Sequence, residues 1–201
     1  MTGSSVFNYN KIMIINKKLV FIFSALAAVI VGISIFLIIN PDFLFKFEVG
    51  CPVSVEERIV RGNSLSGLVE PGETVRAIFG YYDCNEIKRE DIILYDYAGN
   101  ENPLIKVVKG IPGDEFSFQV VSGGWHILIN GKILENSKDQ PYLLNQRGYN
   151  MLSLYEKDYG GIIPEQAYLI MGNLASGATD STRYGLVHKS DILGKAELSK
   201  K

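Results

Sequence analysis

Little in this sequence suits metal or nucleic-acid chemistry. Its cysteines and histidines, Cys51, Cys84, His126 and His188, stand singly, without the close ligand pairs that build a structural zinc site, so no metal and no other cofactor is expected. No long run of lysine or arginine occurs, and the formal net charge is −2. That excludes the basic footprint of a nucleic-acid binder and points to a peptide or a membrane as the partner. Internal repeats and low-complexity segments are also lacking. Beyond Asn40 no apolar pattern of helical period runs longer than about ten residues, which leaves the rest of the chain to strands and turns.

What is present is unevenly distributed. From Leu19 to Asn40 the chain reads "LVFIFSALAAVIVGISIFLIIN", 22 residues without a charge. As a helix rising about 1.5 Å per residue this run is roughly 33 Å long, enough for the hydrocarbon core of a bilayer. A cleavable signal peptide fits less well, because its apolar region is usually about 7–15 residues and ends in a small-residue cleavage site. Lys11, Lys17 and Lys18 precede the run, whereas Lys46 and Arg58 follow it among Asp42, Glu48, Glu56 and Glu57. The lysine and arginine bias places the N-terminus in the cytoplasm and the following residues outside. The expected organisation is a cytoplasmic segment over 1–18, a single transmembrane helix over 19–40 and an extracytoplasmic domain over 41–201, anchored in the plasma membrane. Cys51 and Cys84 both fall outside, where disulfides persist. A bridge between them would close a loop of about 33 residues and contribute roughly 3–4 kcal/mol; two free, buried thiols are the alternative.

The domain reads as mainly antiparallel β. Candidate strands are 58–60, 74–82, 91–97, 103–110, 115–121, 125–131 and 166–172, separated by "EPGE", "YAGNENP", "IPGD", "VSGG" and "NGK". The last two signal hairpins. The stretch from about Asn136 to Pro164 breaks the alternation, and the region of about 115–165 is expected to be an insertion, irregular in structure, within one core.

Two stretches carry candidate chemistry. In "PLIKVVKGIPGD" (103–114) strand alternation puts Leu104, Lys106 and Val108 on one face. Desolvation lowers the pKa of a lysine, and a neutral amine can act as a general base, although most such lysines bring the amine out to water. In "RGNSLSG" (61–67) the small residues Gly62 and Asn63 leave the hydroxyl and backbone N–H of Ser64 unobstructed. A serine nucleophile needs a base to take its proton and donors for the oxyanion that forms. A turn serine bonded to its own backbone is the ordinary reading of an isolated motif.

In this order the stretches resemble the type I signal peptidases, membrane-bound serine proteases with a Ser/Lys dyad. The family's first box is similar to "GNSLSGLVEPGE" (62–73), its second to "IKVVKGIPGD" (105–114) and its third to "GNLASGATDSTRYG" (172–185). The likeness runs over about residues 19 to 196, and the second box is its most specific part. It implies Ser64 as nucleophile and Lys106 as general base. Asp180, Arg183 and either Ser176 or Thr179 would support them, and Val60, Arg61, Gly62, Leu65, Val69, Leu104 and Ile105 would bind substrate.

Several positions depart from the family pattern. Leu65 stands where Met is usual, a swap of similar volume, and Gly67 replaces a Pro. Gly62 occupies a position where some members place a Ser that helps the oxyanion hole, which leaves more of that task to the N–H of Ser64. The third box starts Gly172-Asn173 without the usual Asp between, Ala178 replaces a Ser that orients the lysine, and the arginine has slipped one place to Arg183, behind Thr182.

The resemblance implies an endopeptidase that removes N-terminal signal peptides from translocated preproteins after Ala-x-Ala sites through an acyl-enzyme. Signal peptides, the lipid bilayer and the export machinery would be its partners, and nucleic acid would not. Two alternatives stay open: a peptidase of the same superfamily dedicated to conjugation or pilin maturation, and a membrane-anchored pseudo-protease that binds peptides without cutting. A Ser-His-Asp triad of Ser64, His188 and Asp180 is a weaker rival.

Overall fold

A computed structural model of the chain describes residues 17–39, 51–97 and 102–198. The chain divides into two units, 1–50 and 51–201. In the first, helix α1 covers Lys17–Ile39, 23 residues. Its described side chains, 22–36 and 38, are all exposed, Phe23 and Ile30 among them. The hydroxyl of Ser34, one of two serines in the helix, donates to Ile30 O one turn back at 2.9 Å, the usual way to satisfy a serine inside an apolar helix. Among the described residues no helix is long and apolar enough to cross a membrane.

The second unit is built on two antiparallel sheets. The larger has the order β1-β2-β11-β3-β4-β9-β10, with β1 Ser54–Ile59, β2 Thr74–Phe79, β3 Ile92–Tyr95, β4 Leu104–Gly110, β9 Ala167–Met171, β10 Val187–His188 and β11 Ile192–Leu198. The smaller joins β5 Phe116–Val121, β6 Gly124–Ile129, β7 Lys132–Ile133 and β8 Leu143–Leu144. Among its described residues there are also three α-helices, α2 Tyr81–Cys84, α3 Gln146–Asp158 and α4 Ser181–Tyr184, and a 3-10 helix over Lys189–Asp191. The mainly antiparallel β expectation is met, and each of the seven candidate strands overlaps an observed one.

Within the region of about 115–165 the expected strands at 115–121 and 125–131 form, whereas the stretch of about 136–164, expected to be irregular, needs correction. It contains β8 and α3, whose N-terminus is capped by Asn145 Oδ1 accepting from Gly148 N at 3.0 Å. Leu152 is the one large side chain that α3 buries, beside Gly148 and Ser153, so its apolar stripe was too thin to read as a helical period. Both hairpins form as expected. At the β6–β7 turn Asn130 and Gly131 have φ of 52° and 74°, the pair of positive values that a two-residue type I′ loop requires.

β1 lies at an edge, and all six of its residues are exposed. The charges of Glu56, Glu57 and Arg58 keep that edge from pairing with other chains. The candidate strand 74–82 stops at Phe79, where Gly80 turns left-handed (φ 73°) into α2. Cys84 at the end of α2 is bonded to Cys51, with Cα atoms 5.7 Å apart, so the bridge encloses the segment that carries Ser64.

Side-chain alternation along β4 divides the core. Val108 packs with Ile93 and Ile170, whereas Val107 packs with Leu65, Val75 and Leu94. A third cluster joins Phe116 and Ile127 of the small sheet and Leu152 of α3 to Leu169 and Met171 of β9. The small sheet is thus sealed onto the strand that leads into the third box.

Candidate active site

The segment after β1 closes on itself. Val60 N donates to Glu73 O at 2.9 Å and Gly72 N to Val60 O at 2.7 Å, so residues 61–71 form a compact excursion from the sheet. Pro71 and Gly72, with φ of 90° at the glycine, fit the central positions of a type II turn. Within the excursion Ser66 N donates to Asn63 O and Leu68 N to Leu65 O, at 3.0 and 2.9 Å. Leu65 is fully buried and Val69 is 3% exposed, so these two side chains plug the excursion into the core and hold Ser64 half-buried at the surface. Gly67 has φ of 97°. A proline, fixed near −65°, could not occupy that position in this backbone.

Lys106 comes from the middle of the large sheet, opposite Ile93 of β3. Its side chain is 2% exposed, and Nζ lies 3.0 Å from Ser64 Oγ and 2.8 Å from Ile105 O. No carboxylate pairs with the amine among the described residues. Burial lowers its pKa from 10.5 to about 8, against the pull of the Asp180 charge, which raises it. A hydroxyl therefore faces an amine that is neutral near physiological pH in a substantial fraction of molecules, the arrangement that nucleophilic catalysis by serine requires.

A cleft of about 210 Å³ opens beside this pair, with Ser64 and Lys106 in its wall. Of the residues expected to bind substrate, Val60, Arg61, Gly62, Leu104 and Ile105 line it. Leu65 and Val69 do not, because both side chains point into the core. Ile59, Val75 and Leu94 line the cleft without having been foreseen. Leu94 reaches it through its pairing with Ile105, a register that sequence does not reveal.

A family model described as signal peptidase, peptidase S26, matches residues 19–199. The chain belongs to that family. Signal peptidase IB of Staphylococcus aureus (strain COL) is 25% identical over 164 residues, covering 76% of this chain and 81% of that protein. Signal peptidase I of Bacillus caldolyticus is 27% identical over 142 residues, covering 69% and 75%. The crystal structure of a signal peptidase I from Enterococcus faecalis V583 covers 55% of this chain and 97% of its own at 21% identity, with a TM-score of 0.38, too low to carry an argument.

In this member of the signal peptidase family the third box acts through backbone. Asp180 is fully buried; it accepts from Gly172 N at 2.9 Å and from the N and Oγ1 of Thr182 at 3.1 and 2.7 Å. Ser181, also fully buried, accepts from Ile170 N at 2.9 Å. Ser176 and Thr179, the alternatives for orienting the lysine, make no hydrogen bond to Lys106 among the described residues. Ser176 and Arg183 instead line a separate hollow with Arg147. His188 bonds Ser190 Oγ at 2.9 Å and Asp180 is engaged by Gly172 and Thr182, so Ser64, His188 and Asp180 form no triad.

Sequence reasoning missed three further groups: Asn173, Tyr142 and the Arg89–Asp114 pair. Asn173 N donates to Ser64 O at 2.6 Å, and Tyr142 Oη donates to Gly172 O at 2.6 Å. Asp114, the last residue of the second box, ties that box down: Arg89 grips both carboxylate oxygens at 2.6 and 2.7 Å, and Ile111 N donates to it at 2.8 Å. That ion pair links the "IPGD" turn to the segment before β3, which no local pattern signals.

Proposed function

We propose that this protein is a type I signal peptidase that removes N-terminal signal peptides from translocated preproteins with Ser64 as nucleophile and Lys106 as general base. The observation that carries the reading is the 3.0 Å approach of Lys106 Nζ to Ser64 Oγ with the lysine 2% exposed.

The neutral amine accepts the proton of Ser64 Oγ–H as Oγ bonds to the scissile carbonyl carbon. The backbone N–H of Ser64 stabilises the oxyanion, in the open bend that Gly62 leaves. The ammonium then returns its proton to the leaving nitrogen as the C–N bond breaks, leaving an acyl-enzyme. Lys106, neutral again, takes a proton from water as the water oxygen attacks the ester carbon, and the ammonium gives that proton to Ser64 Oγ as the C–Oγ bond breaks, releasing the acid and regenerating the hydroxyl.

The residues before the cut lie extended in the cleft. Leu104, Ile105 and Lys106 pair with β3 on one side, whereas pairing with β9 begins only at Val107. A peptide can therefore add its main chain along the other side. Val60, Leu104 and Ile105 offer shallow aliphatic walls that suit alanine at an Ala-x-Ala site.

The proposal includes a single-pass anchor with the N-terminus in the cytoplasm and the catalytic unit outside. It is supported by the uncharged run 19–40, by the lysine bias, and by the 23 residues of α1, roughly 34 Å of helix. An anchored enzyme meets substrates whose own apolar segment is confined to the same bilayer, which raises the effective concentration. The export machinery would deliver them.

The test is cleavage of a preprotein bearing an Ala-x-Ala site by the detergent-solubilised protein, beside Ser64→Ala and Lys106→Ala. Cleavage at that site by the parent and loss of nearly all activity in both variants is the expected result. A parent that binds but never cuts, or a Lys106→Ala variant that cuts as well as the parent, would overturn the mechanism.

A further inference from the structure

We propose that a basic trough beside the nucleophile, carrying Lys138, Arg147 and Arg183, binds acidic side chains in the first residues of the substrate's mature part, so that cleavage favours preproteins with Asp or Glu soon after the cut. This rests on the signal-peptidase reading and extends it to the other side of the scissile bond.

Two hollows make the trough. One, of about 250 Å³, lies between the first turn of α3 and the segment around α4, with Arg147 and Arg183 in its wall. The other, of about 490 Å³, has Ser66 and Lys138 in its wall. Leu143, Ala175 and Ser176 belong to both, so the hollows are continuous. No aspartate or glutamate lines either one.

Neither arginine is in an ion pair among the described residues, and neither is Lys138, although the exposed Glu70 lies within electrostatic reach of Lys138. In a chain of net charge −2 such a concentration of cations is a local feature, not an effect of general basicity. Concave walls of one sign concentrate the field over the space they enclose.

The place of the trough gives it a substrate. Gly62 and Ser64 line the aliphatic cleft, whereas Ser66, two residues on, lines the trough. Cleft and trough share no lining residue, but Ser64 of the cleft wall is bonded through its carbonyl to the backbone N–H of Asn173 in the trough wall at 2.6 Å, so the two meet at the nucleophile. A polypeptide that enters through the cleft and is cut at Ser64 leaves over the trough. At about 3.3 Å per residue, its first few mature residues pass Lys138 and then the arginines. Cations spread along a path suit successive carboxylates on an extended chain better than one phosphate, which would draw them to a single point.

The experiment uses the full-length protein in detergent and two preproteins with the same signal peptide and Ala-x-Ala site, one with aspartates and the other with lysines over about the first five mature residues. The parent is expected to cut the aspartate form about five- to tenfold faster in kcat/KM at low salt, from charge-assisted contacts that are partly exposed. The preference should shrink at about 0.5 M salt. Arg147→Glu should reduce the ratio, and Lys138→Glu combined with it should invert the ratio toward the lysine form. A partly unfolded preparation lowers both rates and leaves their ratio alone.

Equal rates in the parent, or an unchanged ratio in Arg147→Glu, would overturn the proposal. An unchanged ratio with weakened binding to phosphatidylglycerol vesicles would also overturn it and assign the trough to lipid. If the parent cuts neither substrate, the signal-peptidase reading fails separately. The trough is then read by the affinity of Ser64→Ala for the free aspartate- and lysine-bearing mature peptides, and equal affinity rejects it.

Discussion

Asn173 donates its main-chain N–H to the carbonyl oxygen of Ser64 at 2.6 Å, and its side chain holds the same bend. Nδ2 donates to Ser66 O at 3.0 Å and to Ser137 Oγ at 2.8 Å, while Oδ1 accepts from Ser137 N at 3.0 Å. With the residue 2% exposed, truncation leaves these groups short of partners in a place that water reaches poorly. Asn173→Ala is expected to lower the unfolding free energy by about 2–3 kcal/mol, measured by urea denaturation. It should also lower kcat more than it raises KM, because the nucleophile bend loses its brace. Full stability and full activity in this variant would mean that backbone alone fixes the bend.

The pH dependence of cleavage follows from the lysine. Burial holds Lys106 at about 8, with the Asp180 charge pulling the other way, and only the neutral amine can take the serine proton. The value of kcat/KM should rise about tenfold per pH unit below a limb near pH 8 and level off above it. Asp180→Asn removes the charge that favours the ammonium form, so the limb should move to lower pH even as the variant loses stability. A limb at the ordinary lysine value would mean that the amine is hydrated in solution.

The same shift has a cost in stability, with a definite sign. The folded chain holds Lys106 at about 8 and the ordinary value is 10.5. Between these two pH values the unfolded chain binds a proton that the folded chain does not, so stability rises with pH across that window. Below about pH 8 the whole penalty is present, roughly 3 kcal/mol at about 1.4 kcal/mol per unit. Lys106→Met removes the charge and keeps most of the volume, while losing the bonds to Ser64 Oγ and Ile105 O. Net of those bonds, each worth about 1 kcal/mol, it should be more stable than the parent by about 1–2 kcal/mol at pH 7. That advantage should vanish at about pH 9, where the penalty equals the two bonds, and reverse by about pH 10.5. Urea midpoints at the two pH values, beside an inactive cleavage assay, check it.

How much of this was legible in the sequence differed by element. Ser64 and Lys106 could be picked out because each sits in a dense local motif, and the two hairpins because Asn130-Gly131 and Ser122-Gly123 carry their turn chemistry in place. β11 was missed because its inward positions after Ile192 are Gly194 and Ala196, too small to produce an apolar alternation. α3 was missed for a related reason, its single large buried side chain. Leu65 and Val69 were assigned to the substrate cleft because they neighbour Ser64 in sequence, yet the turns at Asn63–Ser66 and Leu65–Val69 rotate them into the core. Asn173 and the arginine trough depend on segments far apart in the chain meeting, which no local pattern records.

Gly172 offers the most direct test of how tightly the third box sets the nucleophile. A Cβ placed there would lie 2.6 Å from Ala178 Cβ and 2.8 Å from Ser64 O. The glycine cannot retreat, since its N–H is held by Asp180 at 2.9 Å and its carbonyl by Tyr142 Oη at 2.6 Å. Gly172→Ala must therefore displace either the segment at Ala178 or the carbonyl of Ser64. If the Ser64 carbonyl yields, a shift approaching 1 Å at the nucleophile should lower kcat by about a hundredfold, with a stability loss of about 1–3 kcal/mol from overpacking. Adding Ala178→Gly relieves only the first of the two contacts. The double variant should regain part of its urea midpoint and little of its kcat. Full recovery of kcat in the double variant would show that the pressure is transmitted through the Ala178 segment and that the Ser64 carbonyl has room to spare.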